Sequence, residues 1–223
     1  MHLYEENPFC SRRIRPGAIP YVFPPGISAD MLIDRLQENR WYGQIVGPHG
    51  TGKSTLLATL LPQIRARGMR LTHLEIQEGV RELPLLYEEY ELMDTNTVLA
   101  IDGFEQLSYW TRRKLQNRSR RQGFGVLILA HKSYGLPDLY RTESDLATGK
   151  MLVELLLKNT IVRIPDHVIE SHYEENNGNL REMLFSLYDI YEYVIRSLRS
   201  RGEDVNHGGI APRTGSPQSS GRE

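Results

Sequence analysis

The sequence predicts a three-layer α/β fold, a mostly parallel central sheet between helices, with a small, lid-like helical part at its C-terminal end. Three observations predict it. Strand-like and helix-like stretches alternate from about residue 42 to residue 130, the pattern of a parallel sheet with crossover helices. Two of the strands, 97–101 and 126–130, are unbroken apolar runs bounded by polar residues, as strands buried on both faces require. Beyond Ser133 the periodicity is mainly helical.

The elements follow in order. Residues 1–27 carry Pro8, Pro16, Pro20, Pro24 and Pro25 among the aromatics Phe9, Tyr21 and Phe23. Proline fixes φ and disfavours helix at the residue before it, so an extended arm lying on the core is expected rather than a helix. Ser28 can cap a short helix ending near Asn39, with Met31, Leu32, Ile33 and Leu36 on its apolar stripe. A strand over 42–46, a glycine-rich turn and a helix over 53–67, closed by Gly68, come next. A second strand is read over 71–76, helical spacing over 83–93, a strand over 97–101, a helix over 104–121 and a strand over 125–130. Helices over 145–158, 166–176 and 180–199 follow, the last with a core stripe that includes Leu180, Met183, Leu184, Leu187, Tyr191 and Ile195. From 201 to 223, ten of 23 residues are Gly, Pro or Ser, too little apolar surface to offset the entropy of ordering, and a disordered tail is predicted. The expected organisation is an arm (1–27), an α/β core (28–142), a helical lid-like part (143–200) and the tail (201–223).

Composition narrows the function. With 27 Lys/Arg against 28 Asp/Glu, the net charge of -1 places no global demand for a nucleic-acid partner. The one cysteine, Cys10, excludes an intramolecular disulfide framework and a cysteine-only zinc site, and fits a reducing compartment. No apolar stretch approaches the roughly 18 residues that span a bilayer, and the N-terminal residues lack a signal-peptide apolar segment; a cytoplasmic protein without membrane association is expected.

The most informative stretch is Gly47-Pro48-His49-Gly50-Thr51-Gly52-Lys53-Ser54, which matches G-x-x-x-x-G-K-[ST] and lies between a predicted strand and a predicted helix. Glycines let the backbone curl until successive N–H groups point into one concavity, and the helix start adds its positive dipole end. Such a cavity takes a polyphosphate. Lys53 is expected to reach the β- and γ-phosphates and the Ser54 hydroxyl to ligate magnesium, a role that suits Thr55 less well. A carboxylate at the end of a neighbouring buried strand is the second requirement, and Asp102 supplies it. Glu105, in the turn that leaves the strand, is the candidate for polarising an attacking water; an acid that merely suits a helix N-terminus is the competing reading.

These stretches resemble the Walker A and Walker B motifs of P-loop nucleoside triphosphatases. Two acids near the end of one strand are similar to the branch with an additional strand and a catalytic Glu, which holds the AAA+ and STAND ATPases. Ile101-Asp102-Gly103-Phe104-Glu105 resembles the STAND and NACHT form, in which the second acid stands three places after the first; most AAA+ members put Glu directly after Asp, where this chain has Gly103. The resemblance implies a polar sensor of the γ-phosphate after the strand 126–130, with His131 as first candidate and Lys132 as second. Asn177-Gly178-Asn179-Leu180-Arg181-Glu182 resembles the start of the second sensor helix of AAA+ lids, which implies that Arg181 reaches the phosphates. Polar residues leaving a buried strand, and an ordinary capped helix start, are the respective alternatives.

ATP is favoured over GTP because His131-Lys132-Ser133-Tyr134 offers neither the Asn nor the acid that reads guanine. Magnesium-dependent ATP hydrolysis used as a conformational switch is the leading expectation. A small P-loop kinase, and a nucleotide-binding interaction module with vestigial hydrolysis, are the rivals. The basic run Arg112, Arg113, Lys114, Arg118, Arg120 and Arg121 reads as a solvated helix face, a nucleic-acid backbone contact or a donor of arginine to a neighbouring subunit. Few aromatics interleave with it in sequence, so base stacking is not suggested. The partners expected are ATP and either a protein partner or further copies of the chain.

Overall fold

A computed structural model of the protein describes residues 6–200; the predicted tail lies outside them. The sheet has five strands, β1 (Tyr42–Val46), β2 (Arg70–Glu75), β3 (Thr97–Asp102), β4 (Gly125–Ala130) and β5 (Asp138–Arg141). All pairings are parallel, in the order β2-β3-β4-β1-β5. β4 therefore stands between β1, which leads into the glycine-rich loop, and β3, which ends on Asp102. Parallel strands all finish on one edge, and that edge is where α/β folds place their ligands.

The helices are α1 (Ser11–Ile14), α2 (Ala29–Glu38), α3 (Lys53–Ala66), α4 (Tyr87–Glu91), α5 (Tyr109–Gln122), α6 (Leu146–Leu157), α7 (Asp166–Glu175) and α8 (Leu180–Ser200). Alternation along the central strands builds the layers. Val98, Ala100, Leu127 and Leu129 face a cluster with Leu32, Leu36, Leu56 and Leu60 of α2 and α3. Their neighbours Leu99, Ile101, Val126 and Ile128 face the opposite cluster, with Phe104, Leu107 and Leu115. A third cluster joins α6, α7 and α8 to Phe9, Ile14 and Ile19 of the arm, through residues such as Val153, Ile169, Met183 and Leu187. Among the described residues no helix is long and apolar enough to cross a membrane.

Four local readings change. The arm contains a single helical turn, α1, in the proline-free interval between Pro8 and Pro16. The helical spacing over 83–93 yields only α4, because Pro84 restricts Leu83 and removes a donor ahead of it. The helix expected over 104–121 is split. Gly103 takes a left-handed φ of 78° and starts a short 3-10 turn, Phe104–Gln106. Ser108 then caps α5, its Oγ accepting from the Thr111 N–H at 3.1 Å. β5 is an unpredicted edge strand: of its four residues only Leu139 is buried, so it carries no apolar run.

Candidate nucleotide site

The loop between β1 and α3 is shaped by its glycines. Gly50 and Gly52 have φ of 70° and 88°, which L side chains rarely adopt. Close neighbours exclude a side chain as well. A Cβ on Gly47 would lie 2.1 Å from Thr142 Oγ1, and one on Gly50 would lie 1.7 Å from Asn179 Oδ1. Thr51 Oγ1 donates to the Pro48 carbonyl at 3.0 Å and shares a 2.7 Å hydrogen bond with Thr142 Oγ1. No side chain caps the start of α3, so its first N–H groups are available to an anion.

Lys53 is 9% exposed, and its Nζ donates to the carbonyls of Gly47 at 2.8 Å and Pro48 at 2.6 Å. Burial pushes its ammonium below the usual lysine range, and the carboxylates of Asp102 and Glu105 work against that shift. One residue on, Ser54 Oγ donates to Asp102 Oδ2 at 2.5 Å. The hydroxyl of α3 and the acid of β3 thus meet across the intervening β4 at the sheet edge.

Glu105 reaches the same place by the turn at Gly103, where a Cβ would sit 2.5 Å from the Ile76 carbonyl. This explains the glycine directly after Asp102: the chain must turn sharply here, and the second acid comes back toward the site two residues later. His131 Nε2 donates to Glu105 Oε1 at 2.9 Å. Glu105 Oε2 is buried with no hydrogen-bond partner among the described residues. The other ring nitrogen of His131 lies 3.2 Å from the Gly47 carbonyl and 3.4 Å from Lys53 Nζ. The His49 ring stacks on His131 with centroids 3.7 Å apart. Partial desolvation on the loop holds His49 below the usual histidine range, and its electrostatic interactions with His131 and Lys53 push the same way. Lys132 does not join this group; its Nζ faces the Tyr134 ring at 6.0 Å.

A cavity of about 580 Å³ opens from the loop toward the arm and the C-terminal helices. Thr55, Asp102, Glu105 and His131 are among its lining residues, as are the apolar or aromatic Tyr21, Phe23, Met151 and Leu184. Arg181 lines it too, with its guanidinium 5.6 Å above the Phe185 ring and no ion pair among the described residues. The structure therefore brings Lys53, Ser54, Asp102, Glu105 and His131 into contact at the sheet edge, while Arg181 is on the cavity wall and touches none of them. Three contributors went unread in the sequence. Thr142 follows the unpredicted β5, its N–H bonded to the Val46 carbonyl at 2.8 Å. Asn179 was readable as a helix cap, and its Oδ1 does accept from the Glu182 N–H at 3.2 Å, but nothing local shows that it presses on Gly50. Gln44 is a third, buried in β1, where it donates to Ser133 Oγ at 2.6 Å and Asp138 Oδ1 at 2.5 Å and accepts from the Tyr134 N–H at 2.9 Å. It fastens the segment that follows His131.

No family model matches the chain, and no curated protein matches it in sequence. Solved structures do. A DNA replication initiation factor is 18% identical, with 79% of this chain and 61% of that one covered and a TM-score of 0.50. The replication initiator DnaA bound to AMPPCP and single-stranded DNA is 17% identical, with 82% of this chain and 66% of that one covered and a TM-score of 0.53. The likeness is one of fold, a five-stranded parallel sheet with C-terminal helices. The chain spans less than two thirds of the length of either structure.

Proposed function

We propose that the protein binds ATP with magnesium at the 47–54 loop, hydrolyses it, and uses the nucleotide to set the position of its helical part. The observation that carries this reading is the direct Ser54–Asp102 hydrogen bond beside Lys53, with the unpartnered Glu105 Oε2 at the same edge. A hydroxyl and a carboxylate are oxygen donors suited to magnesium, which keeps its remaining positions for phosphate and water. The ion would supply charge neutralisation on the phosphates.

The chain's own groups do the rest. The loop N–H groups and Lys53 bind and orient the β- and γ-phosphates, donors fixed before the ligand arrives. Glu105 Oε2 is the acceptor for a water proton, and His131 holds that carboxylate through its other oxygen. The apolar lining residues, among them Phe23, Met151 and Leu184, take the base. We read residues 28–142 as the nucleotide core and 143–200 as the lid-like part, with Arg181 the group that reports on the phosphates. The split between the acids is the STAND-like form of the arrangement. No residue of the basic helix α5 lines the cavity, so that helix does not supply the arginine-rich lid a kinase would close over the phosphates.

Phosphate release and calorimetric ATP binding by the purified protein test the proposal. Magnesium-dependent turnover that disappears in Lys53→Ala supports it. Retained affinity without turnover leaves a binding module, and absence of both overturns it.

A further inference from the structure

The first residues of α5 leave two aromatic rings in solvent. Trp110 is 76% exposed and Tyr109 60%, their rings edge to face at 5.3 Å. Behind them α5 carries six Lys/Arg and no Asp/Glu over residues 109–122, in a chain whose net charge is -1. Among the described residues only Arg118 of these has an ion pair, with Glu91. Arg113, Lys114, Arg120 and Arg121 are exposed and have no ion pair among the described residues. With Trp110 they form one helix face about 16 Å long.

The fold adds what the sequence run lacks. A groove of about 260 Å³ beside α5 is lined by Tyr109, Arg112, Arg113, Lys132 and Tyr134 above Phe104, with no carboxylate among its lining residues. The Arg112 guanidinium stacks 4.7 Å above the Tyr134 ring. Tyr134 comes from the connection after β4, so an aromatic distant in sequence is interleaved with these cations, contrary to the expectation from sequence.

From these observations we infer that the α5 face and its groove bind single-stranded nucleic acid, with Trp110 and Tyr109 stacking on bases and Arg113, Lys114 and Lys132 contacting the backbone. Exposed π-faces beside unpaired cations fit unstacked bases on a polyanion. An acidic protein would satisfy the charge, but a stable protein interface needs an apolar core, and this face offers two aromatic side chains in a cationic field. Duplex would satisfy the charge and leave the rings without bases to stack on. The groove also adjoins the nucleotide site: Phe104 precedes Glu105, and Lys132 follows His131. A strand held here is placed to influence hydrolysis, a coupling that rests on the proposed function; the binding itself does not.

The test is anisotropy of a labelled oligothymidylate and an oligouridylate of about 16 nucleotides, and of a duplex of equal length, with the full chain and no nucleotide. Both single strands are expected to bind more tightly than duplex, and the ratio of the two shows whether DNA or RNA is preferred. Trp110→Ala should weaken single-strand binding by roughly 5- to 150-fold. Arg113→Gln should reduce the slope of log affinity against log salt by about 0.7. Unaltered melting of both variants shows that the surface alone has changed. Equal affinity of duplex and single strand, an unchanged affinity in Trp110→Ala, or displacement of the strand by polyglutamate at matched charge would overturn the inference. Lys53→Ala should bind the strand like the wild type, which separates this result from failure of the ATP reading.

Discussion

The sheet edge and the helical part share the nucleotide cavity, but they hold their polar groups differently. At the sheet edge the side chains are held by partners: Lys53 on the loop carbonyls, Ser54 on Asp102, and Glu105 through one of its two oxygens on His131. Across the cavity, Arg181 is exposed, with the Phe185 ring beside it and no ion pair among the described residues. The helical part packs around its own apolar cluster, and its Asn179 presses on the loop at Gly50. The arm joins the two, since Phe9, Ile14 and Ile19 belong to the helical cluster whereas Tyr21, Phe23 and Ile27 pack on the sheet's. Groups that stabilise developing charge work best when already in place, whereas a group that registers the ligand must be free to move. The proposed function accordingly places the chemistry at the sheet edge and the response in the helices.

The largest effect expected from that division is at Glu105. Glu105→Gln keeps the shape and the contact with His131 but removes the proton acceptor, so turnover should fall by about 10²- to 10⁴-fold with ATP affinity retained. Single-turnover phosphate release beside calorimetry measures both, and a variant that hydrolyses normally would move Glu105 from the chemistry to helix-terminus electrostatics. Arg181→Ala should act in the opposite manner and more weakly. Its expected loss is about 2- to 10-fold in ATP affinity, from one hydrogen-bonding group, and the melting temperature without nucleotide should not change. If the ATP-induced rise in melting temperature is as large in Arg181→Ala as in the wild type, the helical part does not respond through this residue.

What could be read in the sequence follows from how local the physics is. The 47–54 loop was readable because its work is done by its own backbone, and the apolar runs of β3 and β4 because burial on both faces leaves no polar position. Glu105 was placed by its spacing from Asp102, yet the reason for the spacing, the left-handed turn of Gly103 against the Ile76 carbonyl, depends on β2 lying alongside. β5 was unreadable because an edge strand of four residues buries one side chain. Thr142, Asn179 and Gln44 were missed for a common reason: each acts on a residue more than 80 positions away, and no periodicity encodes such a contact. The split of the expected 104–121 helix has the same origin, because Phe104 and Leu107 are drawn into the cluster beneath the sheet and Ser108 then starts a new helix.

The smallest effect concerns His49, which lies on the loop and reports on the charge of the sheet edge. Its folded-state value is depressed, by burial first and then by His131 and Lys53. Above the ordinary histidine value of about 6.5 the ring is neutral in both folded and unfolded chains, and it adds no pH dependence. As pH falls below that value the unfolded chain takes up the proton first, so stability declines until the folded value is passed and then levels off. His49 is exposed, so the loss is slight, and the titration itself is the sharper measurement. Followed by NMR, His49 should titrate below 6.5 in the wild type. In His131→Ala it should move only part of the way back, because desolvation by the rest of the loop and the charge of Lys53 remain. A wild-type midpoint at or above the ordinary value would mean that the His49–His131 stack does not persist in solution. Return to the full ordinary value in His131→Ala would instead make the partner ring the dominant cause.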